Sequence, residues 1–125
     1  MARSLHHPSR EQLALSSILE ALSDPVRLEI VLRLADRGED RCSAFLALAS
    51  KANLSYHFGR MREAGVIRVR LDGPSRYMSL RQDDLEARFP GLLAAVLSGA
   101  RREGRARRRR SGEDGARRRG AAAAR

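Results

Sequence analysis

A chain of 125 residues has room for one domain of roughly 100 residues, with a core of Leu, Ile, Val and Ala, because Trp is absent and Phe and Tyr number only three and two. Its single cysteine, Cys42, excludes an intramolecular disulfide scaffold, and no apolar run approaches the roughly 18 residues that a membrane-spanning helix requires. The opening residues MARSLHHPSR lack the apolar centre of a signal peptide, so a cytoplasmic protein is expected, nucleoid-associated if it binds DNA.

Residues 1–8 carry no periodic pattern and are expected to be flexible. Residues 9–22 place Leu15, Ile18, Leu19 and Leu22 on one face of a helix that Ser9 can cap. A second helix starts with Asp24 as its N-cap and Pro25 in its first turn, and stops at Gly38. It is apolar over more than half its girth, which makes it the central, most buried helix. After a turn at "GED", residues 43–49 ("SAFLALA") read as a short third helix. The stretch "SKANLSYHFGRMREAG" gives a fourth, with Leu54, Phe58 and Met61 at i, i+4 and i+7 and Gly65 as its stop. "VIRVRL" and "RYMSL" alternate as strands around the turn "DGPS", so residues 66–80 predict a β-hairpin. Pro90 splits the next helical pattern into a short turn of helix and a main helix from Pro90 to about residue 98. Residues 99–125 are low-complexity, Arg- and Ala-rich, and predict a disordered basic tail.

Four helices, a hairpin and a further helix make a mainly α protein with a β-hairpin, an order that fits a winged helix-turn-helix spanning residues 9–98. The net charge of +10 is unevenly placed. Residues 101–125 hold 11 Arg against three acidic residues, a net of +8. Residues 51–81 hold seven basic against two acidic, a net of +5, while residues 1–50 and 82–100 are slightly acidic. A polarised basic face is the electrostatic footprint of a nucleic-acid binder.

The residues "ALSDPVRLEIVLRLADRGE", followed by "SKANLSYHFGRMREAGVIRVRLDGPSRYMSL", carry a likeness. In order, the Leu-Ser-Asp-Pro-x-Arg start, the Ser-x-His-Phe core and the Arg-Glu-Ala-Gly-Val-Ile exit resemble the ArsR (ArsR/SmtB) family of bacterial winged-helix repressors. The resemblance spans about 70 residues. It implies a homodimer joined through the first and last helices, each subunit offering a recognition helix and a wing to double-stranded DNA, and a repressor released by an inducer. The metal-sensing members carry a Cys-x-Cys pair where this chain reads "RCSAF", with Cys42 alone. Soft metals need two to four thiolate or imidazole ligands, so neither a metal site nor a cofactor is expected, and the effector is unspecified.

The candidate DNA-reading residues on the fourth helix are Lys51, Ala52, Asn53, Ser55, Tyr56 and Arg60. They face away from the apolar seam, and the polar ones can donate to base edges or phosphates. Asn53 suits adenine, and Lys51 suits guanine or a phosphate. Arg68, Arg70 and Arg76 flank the hairpin tip and suit a wing that reaches phosphates or the minor groove. They are otherwise exposed charges that keep a sheet edge soluble. Cys42 beside Arg41 has two readings: a redox-sensing thiol of lowered pKa, or a small apolar residue at a helix start, the commoner case.

Ser55 and His57 are two residues apart on a helix and point to different sides, so they form no nucleophile–base pair. With no phosphate loop and no paired-carboxylate cleft, an enzyme is not expected. The leading reading is a sequence-specific regulator that binds a two-fold-symmetric operator as a homodimer. The alternatives are a sequence-independent DNA-packaging or RNA-binding protein that relies on charge, and a protein-interaction module built on the same fold. Packaging predicts equal affinity for operator and random DNA.

Overall fold

The computed structural model describes the backbone of residues 5–123. The first helix, α1 (Leu15–Ala21), is shorter than the 9–22 expected, because the chain breaks at Leu13 and Ala14. Before the break, Arg10–Gln12 form one 3₁₀ turn, closed by the Ser9 N–H donating to Gln12 Oε1 at 2.8 Å. Leu13 leaves the helical path because its side chain is fully buried and its carbonyl accepts from Arg88 at 2.8 Å.

The second helix, α2 (Pro25–Arg37), begins as expected, with Asp24 Oδ1 accepting from the Val26 and Arg27 N–H groups at 2.8 and 3.2 Å. Its residues Ile30, Val31 and Leu34 are buried, so it is the central helix. Beyond Gly38 a two-residue strand, β1 (Asp40–Arg41), replaces the expected turn. The expected third helix over 43–49 is only a 3₁₀ turn at Cys42–Phe45. Phe45 is pulled fully into the core, edge-on to Phe58 with ring centres 5.7 Å apart. Ser50 then caps α3 (Lys51–Ala64), its Oγ accepting from the Asn53 N–H at 3.2 Å.

The hairpin is β2 (Ile67–Asp72) and β3 (Ser75–Leu80), antiparallel, with Val69 opposite Met78 and Arg70 opposite Tyr77. β1 pairs with the other edge of β3, placing Arg41 opposite Tyr77, so the sheet has the order β1-β3-β2. A short α4 (Gln82–Arg88) and a long α5 (Leu92–Ala123) complete the fold. The main helix starts at Leu92 rather than Pro90 and continues far past residue 98, so the expected disordered tail is helical as far as Ala123. Ala and Arg are among the best helix formers, and the docked first turns of α5 supply the nucleus that a free tail would lack.

The N-terminal segment also departs from expectation. Residues 1–4 lie outside the described residues, but 5–8 are tied down rather than flexible. Arg62 donates to the His6 carbonyl at 2.5 Å and Arg81 to the Pro8 carbonyl at 2.6 Å. His7 donates through Nδ1 to the Leu5 carbonyl and accepts through Nε2 from the Val69 N–H of β2, both at 3.0 Å. Mostly helical, with a three-stranded hairpin sheet behind α3, the molecule is a winged helix-turn-helix.

Candidate nucleic-acid interface

The apolar seam of α3 decides what its other side presents. Leu54, Phe58 and Met61 are buried against the core, which leaves Lys51, Ala52, Asn53, Ser55 and Tyr56 exposed, Tyr56 at 61%. Ala52 offers only a methyl group; the other four carry donors, and none is acidic. They sit in the first turns of the helix, the part that enters the major groove in helix-turn-helix proteins.

The expected cations do not all stand ready for DNA. Arg60 is half-buried and ion-paired with Glu20 of α1. Arg70 forks onto both carboxylate oxygens of Glu39, at 2.7 and 3.2 Å, and its guanidinium lies 4.5 Å above the Tyr77 ring. That contact raises the Arg70 pKa and lowers that of Glu39, the hydrogen bond being the main cause in each case. Arg68 lies 3.6 Å from Asp84 of α4. The third wing arginine, Arg76, has no ion-pair partner among the described residues and lines a groove between the wing tip and α3.

That groove, of about 560 Å³, also contains Arg41, Ser43, Lys51, Ser55 and Ser75. Arg41 and Ser43 were not legible as residues of this groove, because β1 is too short to leave a sequence pattern and its pairing with β3 is what sets Arg41 beside the wing. Cys42 lies in the groove wall with its thiol 3.8 Å from Met78 Sδ. Burial pushes its pKa up, outweighing the opposing pull of Arg76 and Lys51. The expected lowering by Arg41 is not found, because that guanidinium turns onto the Tyr77 ring, 5.3 Å from its centre.

His57 serves the architecture. Its Nδ1 accepts from Arg27 at 3.2 Å, and Arg27, only 7% exposed, also donates to the Ala21 carbonyl at 2.7 Å and the Glu20 carbonyl at 3.3 Å. One buried guanidinium thereby joins the C-terminal end of α1 to α3. Among the described residues no group of three His, Cys, Asp or Glu could hold a metal ion, and no helix is long and apolar enough to cross a membrane.

A family model described as a helix-turn-helix domain matches residues 22–70, from the end of α1 to the middle of β2. The chain is 36% identical over 86 residues to YceK, an uncharacterized HTH-type transcriptional regulator of Bacillus subtilis (strain 168), covering 65% of this chain and 84% of that one. The chain belongs to the ArsR family of winged helix-turn-helix regulators. Among solved structures, a possible transcriptional regulator for arsenical resistance is 30% identical, with a TM-score of 0.53 over 66% of this chain and 84% of that one. The transcriptional repressor BigR from Xylella fastidiosa is 27% identical, with a TM-score of 0.54 over 67% and 83%. As an ArsR-family member the protein is a DNA-binding transcription regulator and not an enzyme.

Proposed function

We propose that this ArsR-family protein is a homodimeric repressor that binds a two-fold-symmetric operator and is released by a non-metal effector. The observation that carries the reading is the division of α3, whose buried Leu54, Phe58 and Met61 fix an outward face of Lys51, Asn53, Ser55 and Tyr56. Asn53 and Lys51 are the base-reading candidates, with Ser55 and Tyr56 on base edges or phosphates. Arg76 carries the wing contact, while Arg60, Arg68 and Arg70 hold the interface together through their ion pairs.

Dimerisation is supported by α1, where Leu15 and Leu19 are 46% and 47% exposed, and by the half-buried Leu92, Val96 and Leu97 of α5. Joining these faces would place two copies of α3 in successive major grooves about 34 Å apart. Residues 9–98 are the DNA-binding and dimerising unit, and the Arg-rich continuation of α5 adds affinity without sequence preference. An effector lowers affinity by favouring a dimer geometry that no longer matches the groove spacing.

Fluorescence anisotropy of the full chain on the DNA upstream of its own gene, against a scrambled duplex at physiological salt, tests the reading. A preference of about a thousandfold is expected. Equal affinity for the two duplexes would replace the repressor by a charge-driven packaging protein.

A further inference from the structure

Behind the groove lies a smaller cavity of about 130 Å³, between α3, the hairpin and Leu5 of the N-terminal segment. From α3 it receives Phe58 and the strip Ser55, Gly59 and Arg62, which recur at i, i+4 and i+7 on one helix face. From the sheet it receives Val69 and Met78, directly opposite each other. Arg76, two positions before Met78, lies on the same sheet face. Half the wall is thus apolar, two guanidinium groups border it, and no acidic residue does.

Gly59 is out of place in that wall. It sits inside a 14-residue helix, where glycine is a poorer helix former than alanine. Its φ is not positive, so the backbone does not require it. Packing does not require it either, since a Cβ there would meet nothing within 4 Å. What glycine supplies is open space on the helix face that borders the cavity. The cavity is not a hidden hydration site, because among the described residues no buried side-chain nitrogen or oxygen lacks a hydrogen-bond partner. An apolar cavity of roughly 150 Å³ takes up benzene, so the body of a small ring or branched chain fits this one.

We infer that the cavity is the effector site and takes a small organic monocarboxylate, its apolar body against Gly59 and Met78 and its carboxylate on Arg76. The inference rests on the repressor reading and gives the chemical class of its non-metal effector. Guanidinium groups fork onto carboxylates, and the Ser55 hydroxyl adds a donor. The larger groove shares Ser55, Phe58 and Arg76 with the cavity, which gives an occupant its way in. The proposed function assigns Ser55 and Arg76 to DNA. An occupant that engages them therefore competes with the duplex directly, beside any shift in dimer geometry, and the duplex weakens the occupant by the same factor.

The test uses the full chain with benzoate and 3-methylbutanoate as probes. Benzyl alcohol, which lacks the charge, and acetate, which lacks the body, are the controls. Titration calorimetry without DNA, at constant ionic strength, should show at least one probe binding with a Kd of about 0.1–1 mM and both controls about tenfold weaker. Gly59→Ala and Gly59→Leu fill the space. Both should keep or raise the thermal melt and weaken the probe about tenfold or more. Gly59→Ala, the smaller change, decides if the leucine lowers the melt. Arg76→Gln should bring the probe down to the level of benzyl alcohol. Probe binding that survives in Gly59→Ala and Gly59→Leu, acetate that binds as tightly as the probes, or no saturable binding of either probe below about 10 mM overturns the site.

Fluorescence anisotropy on the upstream DNA then tests the regulation. Saturating probe at constant ionic strength should lower the affinity of wild type about tenfold and leave that of Gly59→Ala unchanged. Probe binding with no change in DNA affinity overturns the effector role. Equal affinity of unliganded wild type for upstream and scrambled duplexes would sink the repressor reading alone, since the calorimetry involves no DNA.

Discussion

At Gly65 the chain leaves α3 with φ at +93°, directly against Leu13 and Pro8. A Cβ there would lie 2.1 Å from Leu13 Cδ2 and 3.2 Å from Pro8 Cγ, on a backbone that L-residues rarely adopt. Gly65→Ala is expected to lower stability by ~2 kcal/mol or more, read as a fall in the urea midpoint. An unchanged midpoint would mean that Leu13 yields easily. Asn53→Ala should do the opposite: leave the melt alone and reduce the preference for operator over scrambled DNA by ~1–3 kcal/mol with no change in salt slope. Gly65 as a helix stop and the seam of Leu54, Phe58 and Met61 were legible from spacing alone. Arg27 was not, because its charge argues for the surface while its partners are carbonyls at the end of another helix. The same blindness covers Arg60, Arg68 and Arg70, whose carboxylates lie 40, 16 and 31 positions away in the chain.

Elements with strong periodicity and caps came through: α2 from Asp24, α3 to Gly65, and the hairpin around its Gly73–Pro74 turn. Those that tertiary contacts shape did not. The break before α1 follows from Leu13 entering the core, and the 3₁₀ turn at Cys42–Phe45 from Phe45 doing the same. The strap of residues 5–8 along α3 and β2 exists through bonds to Arg62, Arg81 and Val69, none of which is a sequence neighbour.

That strap makes stability depend on pH in two windows. Burial holds the His7 pKa below 6.5, with help from Arg62, Arg68 and Arg81 and against the bond to Leu5. The neutral ring is therefore the folded form, and its contribution is complete above about pH 6.5 and falls away as pH drops below that. Asp84 is held below 3.8, first by the hydrogen bond from Arg10 and then, against burial, by Arg81. Its contribution is complete above about pH 4 and is lost as pH falls through the lowered value. Thermal melts of wild type and His7→Gln between pH 7.5 and 5 should converge as the pH falls. Parallel curves would show that the ring is not what the strap depends on.

For the molecule as a whole, the proposed function gives the exposed leucines of α1 and the outward donors of α3 separate work, dimerisation and DNA reading. Replacing Leu15 and Leu19 with Asp should yield a monomer in analytical ultracentrifugation that keeps its fold and loses most operator affinity. A dimer that survives both changes would move the joining surface elsewhere. The charge distribution was legible as a polarised total. That the tail continues α5 as helix was not, since its composition fits both a solvated coil and a helix extended from a docked end.

The partition of α3 also has an evolutionary consequence. The side chains that hold the helix in place, Leu54, Phe58 and Met61, point inward, and those proposed to read DNA are exposed. Exposed substitutions of that kind usually change stability by no more than about 0.5 kcal/mol. If these residues read the operator as proposed, a lineage can exchange Lys51, Asn53 or Ser55 without unfolding the protein, and acquire a new set of target genes by drift at a few surface codons.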